Sequence, residues 1–285
     1  MTILQGRSWR LEIGKILIES ITGANGTPGN RSLDFEFSIS RDKTPNPNSA
    51  EFVIYNLNPA HRAELVQDDV PVRFSAGYRN SMDLLFYGEL RHATFEGRGD
   101  IKTIISSGDS DSKIVESMVS KSFARGTLVK DVVESLLDSI GAKKANWEAF
   151  GSSYKTISGL QLPNGLALRG SSSKILTEMC QSMGFEWCII DGEFQIRPVG
   201  ESAGEGPLIT PATGLEGSPQ QEKRGKDKTK SIVSFKCRLM PKVLPGFQVR
   251  VEHRDTKQNI LLTETRHYGA TFSNDWSIDA KGEVQ

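Results

Sequence analysis

Between residues 33 and 40 the chain alternates. Leu33, Phe35, Phe37 and Ile39 are apolar, and Asp34, Glu36, Ser38 and Ser40 between them are polar. A period of two puts one set on each face of an extended segment, so this stretch predicts a strand with one buried face. The same reading predicts strands near residues 9–18, 50–56, 70–76, 84–90 and 101–107, and it leaves room for one short helix at 59–66. The breaks carry turn chemistry: GANGTPGN at 23–30, TPNPN at 44–48 and GRGD at 97–100. Many short strands punctuated in this way suggest a closed or nearly closed barrel.

The period changes in the middle of the chain. Leu128, Val129, Val132, Val133, Leu136, Leu137 and Ile140 fall at helical spacing, with Thr127 placed as an N-cap and Gly141 as a stop. A second helix is predicted over 172–183, with Ile175, Leu176, Met179, Cys180 and Met183 on its apolar face and Gly184 closing it. Two strands then flank Asp191-Gly192, a pair suited to the positive φ angles of a type I′ hairpin turn. This part reads as a small α+β unit. Residues 200–230 are rich in Gly, Pro, Ser and charge and are expected to form a linker or long loop. Strands return at 231–238, 247–252, 259–265 and 276–279.

An internal repeat is suggested. Val72-Arg73-Phe74, Arg91-His92-Ala93-Thr94-Phe95 and Asp100-Ile101 have late counterparts in Val249-Arg250-Val251, Arg266-His267-Tyr268-Gly269-Ala270-Thr271-Phe272 and Asp275-Trp276. The order is the same and the spacing nearly so. Chance identity is the rival explanation for so few matches; a true duplication would give two similar β units separated by the α+β insert.

Composition narrows the function classes. Of 285 residues, 35 are basic and 35 acidic, a balance that disfavours a protein built to grip phosphates. No apolar run is long enough to cross a bilayer, so no membrane anchor is expected. The start, MTILQGRSWRLEIGK, lacks the apolar stretch of a signal peptide, so synthesis and assembly are expected in a cytoplasm. Cys180, Cys188 and Cys237 form no CxxC pair and read as buried thiols. His61, His92, His253 and His267 are scattered without metal-ligand spacing. There is no HExxH, no Gly-x-Ser-x-Gly elbow and no P-loop. The run Asp109-Ser110-Asp111-Ser112 resembles the opening of a calcium loop but lacks the downstream Gly and Glu; a turn and helix cap accounts for it better. The expectation is therefore no catalytic residue, no metal and no cofactor. One charge cluster stands out: Lys223, Arg224, Lys226, Lys228 and Lys230, either a solvated loop or a contact with an acidic partner or DNA.

AEFVIYNLNPAHRAEL (50–65), VRFSAGY (72–78) and LLFYGEL (84–90) resemble the N-terminal domain of phage tail baseplate hub proteins. SFARGTLVKDVVESLLDSIGA (122–142) and LTEMCQSMGFEWCIIDGEFQIRP (176–198) are similar to the family's central region. LMPKVLPGFQVRVEH (239–253) and TETRHYGATFSNDW (263–276) are similar to its ending. The motifs cover most of the chain in the family's order. Where the family has His-x-Gly-Asp-Thr, this chain has His267-Tyr268-Gly269-Ala270-Thr271, without the acidic residue.

The resemblance implies a mainly β fold in which two tail-tube-like β-barrel domains flank a small α+β middle region. Its expected divisions are 1–115, 116–200 and a linker plus barrel at 201–285. It also implies a homotrimeric virion component that adapts a sixfold tail tube to a threefold spike. Expected partners are the tube or its initiator above, the trimeric spike below, surrounding baseplate proteins, and DNA only in transit. The alternatives are a tail-associated peptidoglycan hydrolase and a distal tail or injection-particle ring protein.

Overall fold

The computed structural model describes residues 6–20, 33–65, 70–78, 81–97, 99–109, 114, 116–141, 159–224, 230–254 and 256–285. The chain divides into two compact units. The first comprises Met1–Asp42, Ser49–Gly108 and Gly204–Gln285; the second comprises Lys43–Asn48 and Asp109–Ala203.

The first unit is built on one sheet of thirteen strands among the described residues. Its N-terminal strands are β1 (Arg7–Ile13), β2 (Ile16–Glu19), β3 (Phe35–Asp42), β4 (Ser49–Tyr55), β5 (Pro71–Tyr78), β6 (Ser81–Glu96) and β7 (Lys102–Gly108). Helix α1 (Pro59–Glu64) lies between β4 and β5; the Asn58 carbonyl side chain caps it by accepting from Ala60 N at 2.8 Å. In β3 the alternation works as the sequence predicts: Phe35, Phe37 and Ile39 are buried and Glu36, Ser38 and Ser40 are not. Residues 9–18, expected as one strand, are two. Gly14 takes φ +56° and turns β1 onto β2, with Ile13 opposite Ile16.

The sheet rolls up on aromatic side chains. β1 and β3 are separated by β4, β7, β6 and β5 in the hydrogen-bonding order, yet Trp9 stacks on Phe35 with ring centroids 4.1 Å apart. Phe37 and Phe52 both contact Phe74, at 4.8 and 5.1 Å. These rings are almost wholly removed from water, and burial of such area is the main stabilising term for the unit. Close packing reaches the backbone at Gly88: a β-carbon there would sit 2.3 Å from the Gly108 carbonyl oxygen.

Much of the stretch expected as a linker is strand. It holds β12 (Glu205–Ile209), parallel to β15 (Gln248–His253), and β13 (Leu215–Arg224), antiparallel to β14 (Lys230–Arg238). Glycine and proline serve strand irregularities here, not a loop. Gly206 lets β12 approach Val249, and Gly217 (φ +71°) and Pro219 lie where the β13 register shifts. The long β16 (Thr256–Ala270) and β17 (Trp276–Val284) complete the set.

The second unit pairs β8 (Met118–Phe123) with β9 (Leu166–Ser171) and β10 (Phe185–Ile190) with β11 (Glu193–Pro198). Helix α2 (Val129–Ile140) buries Val129, Val132, Val133, Leu136, Leu137 and Ile140, a single apolar face. It ends on Gly141 at φ +73° as expected, but Leu128 occupies the N-cap, while the Thr127 hydroxyl donates to Ala124 O at 2.8 Å. In α3 (Ser172–Ser182), Leu176 and Cys180 are fully buried, and Ile175, Met179 and Met183 pack partly buried against the same core. Asp191 and Gly192 take φ of 54° and 77°, the type I′ geometry read from the sequence.

Candidate functional site

Two strand sets in the first unit have the same order. One runs β3-β4-β7-β6-β5 and the other β13-β14-β17-β16-β15. In both, a hairpin is followed by a three-strand meander whose last strand returns to pair with the hairpin. The registers agree residue by residue. Lys102 lies opposite Tyr55 and Glu96; Ser277 lies opposite Arg238 and Tyr268. Both long strands slip register at the same place, at Arg91 between Leu90 and His92 and at Thr263 between Leu262 and Glu264. Val72-Arg73-Phe74 on β5 and Val249-Arg250-Val251 on β15 occupy equivalent positions, as the sequence repeat requires.

The Arg-His part of that repeat is corrected by the ladders. They match Glu96 with Tyr268 and His92 with Glu264, so His267 is equivalent to Phe95 and the two Arg-His pairs are three residues out of step.

The two sets are joined within the chain by β16 and β3, with Glu264 opposite Asp42 and Ala270 opposite Glu36. The junction is tied at its end. Thr271 N donates to Phe35 O and Phe35 N to Thr271 Oγ1, both at 2.9 Å, and Arg7 donates to Ala270 O and crosses the Trp276 ring at 5.5 Å. Trp276 in turn meets Phe37 edge-on at 5.1 Å.

Beneath the junction lie polar groups the sequence pattern did not flag. Arg41, on the apolar face of β3, is buried and donates to the Leu85 carbonyl. His267 is fully buried, and neither ring nitrogen closes a hydrogen bond. Burial holds the imidazole well below its ordinary pKa, and the Arg41 charge adds to this; the Met240 and Val243 carbonyls oppose it weakly. The available signal was a basic residue breaking the apolar alternation of β3, but the carbonyl it donates to lies on β6 and His267 lies on β16, both remote in the sequence.

The other face of the junction is wet and carries both signs. Glu36, Ser38, Glu51, Arg266, Tyr268 and Asp275 line a shallow surface pocket of about 210 Å³. Tyr55 donates to Glu36 at 2.5 Å, which raises the tyrosine pKa; Arg266 donates to Ser38 Oγ at 3.1 Å, and Lys281 pairs with Glu264 at 3.4 Å. Such a surface neither concentrates phosphate nor excludes it strongly.

The three cysteines are buried free thiols. Burial pushes the Cys180 and Cys237 thiols up to about 12 and raises Cys188 as well, which keeps all three protonated. Among the described residues no three His, Cys, Asp or Glu side chains cluster as metal ligands. Asp109 takes part in a buried contact with Asn48. Its buried carboxylate accepts from Asn48 N at 2.6 Å and Asn48 Nδ2 at 2.7 Å, anchoring residues 43–48 in the second unit. Asp109→Ala leaves those donors buried without their acceptor and should cost the second unit about 2–3 kcal/mol, read from urea unfolding. Residues 110–112 lie outside the described residues. So do Lys226 and Lys228 of the basic run. Lys223, Arg224 and Lys230 are placed by backbone only, at the paired ends of β13 and β14.

The sequence matches no family model and no curated protein. Solved structures do share the fold. The 43 kDa tail protein of prophage MuSo2 from Shewanella oneidensis has a TM-score of 0.66 at 10% identity, over 99% of this chain and 98% of that one. The tail protein of Neisseria meningitidis MC58 has a TM-score of 0.61 at 10% identity, over 98% and 96%. The Escherichia coli c3393 protein, described as a type VI secretion component with structural similarity to the T4 tail proteins gp27 and gp5, has a TM-score of 0.63 at 10% identity, over 96% and 76%. The chain therefore has the mainly β fold of phage tail proteins.

Proposed function

We propose that this chain is the hub of a phage-type tail baseplate, a structural adaptor without enzymatic activity. The observation that carries this is the doubled strand set: one chain holds two copies of the same five-strand order, joined by β16 and β3. Three such chains in a closed ring present six near-equivalent sheet units, so a threefold object meets a sixfold tail tube on one side and a threefold spike on the other. Baseplate neighbours surround the ring, and the virion is where it works.

The energy of such an adaptor comes from buried interface and main-chain pairing rather than bond chemistry. The mixed-charge sheet face fits a channel that DNA passes without being held, since a strongly cationic lining would retain it. The raised thiols and the structural use of Asp109 support a non-enzymatic role.

Native mass measurement on the protein, alone and co-expressed with its spike, should give three copies. Six copies would favour a distal tail ring. Zymography on peptidoglycan should show no clearing; clearing that survives purification to homogeneity would establish the hydrolase alternative.

A further inference from the structure

The equivalence of the two strand sets has a consequence at their outer edges. In the second set, residues 264–270 of β16 pair β17 on one side and β3 on the other. In the first set, residues 92–96 of β6 pair β7 on one side, but β5 stops at Glu89. At the opposite end of the sheet, β13, the equivalent of β3, terminates the strand order next to β14. One surface therefore has the form of the β16 segment and another the form of β3, each at an edge of the sheet among the described residues.

We propose that residues 92–96 of β6 pair antiparallel with β13 of a second copy of this chain, repeating between chains the β16–β3 junction found within one. This rests on the reading of the chain as a ring subunit, and it names the strands that close the ring. Transferring the junction register through the equivalent positions gives the pairing. Glu264 opposite Asp42 becomes His92 opposite Arg224 of the partner subunit, and His267 opposite Ile39 becomes Phe95 opposite Gln221 of the partner subunit.

Three further observations fit that register. Phe95 is 42% exposed, whereas its equivalent His267 is 0% exposed under the β3 pairing. Gln221 borders a cavity of about 120 Å³ that it shares with Pro219, Val233 and Val251, on the side of the sheet where the transferred register brings Phe95. The contact is also head to tail: it uses two different edges, so it repeats in one direction instead of stopping at a dimer, as a ring subunit requires. A long exposed edge carrying an apolar side chain is otherwise an aggregation hazard.

Cysteine cross-linking reads the register directly. Phe95→Cys combined with Gln221→Cys places two thiols on directly opposed residues, within disulfide reach. Under mild oxidation this variant should give covalent ladders on non-reducing gels, ending in a closed species whose mass counts the chains. Phe95→Cys with Gln220→Cys, one residue out of step and on the opposite face, should give at least about tenfold less product. The native cysteines are buried and should contribute no background. If the first pair fails to fold by circular dichroism, Glu96→Cys with Gln220→Cys tests the same register at two exposed residues.

Phe95→Asp should raise the dissociation constant of the ring at least about tenfold. A trimer by native mass with no in-register cross-link would overturn the β6–β13 pairing and leave the hub reading standing. Monomers alone at every concentration, with no cross-link, would overturn both.

Discussion

Trp9→Ala should be the most damaging single substitution in the first unit, costing about 3–5 kcal/mol in urea unfolding. The indole is 1% exposed and stacks on Phe35 at 4.1 Å across the rolled sheet, so its removal leaves a cavity beside Phe35, a rigid ring itself held by Phe52 and Phe74. β1 is held by β5 on one side and closes over β3 through this stack. The loss should therefore also loosen Arg7, which ties β1 to the end of β16. Trp9→Phe keeps much of the stacking and should recover more than half of the loss. If Trp9→Ala unfolded at the wild-type urea midpoint, the rolled arrangement of β1 on β3 would be wrong.

The second large effect is a loss of stability in mild acid. His267 is neutral when folded, because burial and the Arg41 charge depress its pKa, whereas the unfolded chain binds a proton near the ordinary value of about 6.5. The unfolded state then holds more protons, so stability falls as pH drops below that value and is fully retained above it. The slope is up to about 1.4 kcal/mol per pH unit for this one group. Unfolding compared at pH 7.5 and 5.5 stays above the range where most carboxylates titrate. His267→Leu removes both unpaired nitrogens and should flatten the slope with little cost at pH 7.5. An equal slope in wild type and variant would place the acid sensitivity elsewhere.

Local pattern carried far, and non-local pairing did not. The alternation of Phe35, Phe37 and Ile39, the helical face of Val132, Val133, Leu136 and Leu137, and the Asp191-Gly192 turn each depend on residues a few positions apart. All three were legible. Gly14 was read as interior to a strand because one glycine at positive φ leaves the surrounding alternation almost intact. Residues 200–230 were read as a linker because glycine and proline mark a strand's bulges as readily as a loop.

The two strand sets expected to flank the α+β insert are present, but they share one sheet through β3 and β16. That bond links residues 36–42 to 264–270, and no sequence period reports such a distance. The Val-Arg strand of each meander is a true mark of the repeat, whereas the Arg-His pairs are not, since the ladders set them three residues apart. Arg41 and His267 are far apart in the sequence, and the β16–β3 pairing brings their strands side by side.

One chain should supply two near-equivalent ring segments, and electron-microscopic averages of the purified oligomer viewed down its axis decide this. Six lobes around an open channel are expected at low resolution, resolving to threefold symmetry with two alternating lobe types as detail improves. A ring with three lobes, or one whose true symmetry is sixfold, would contradict it.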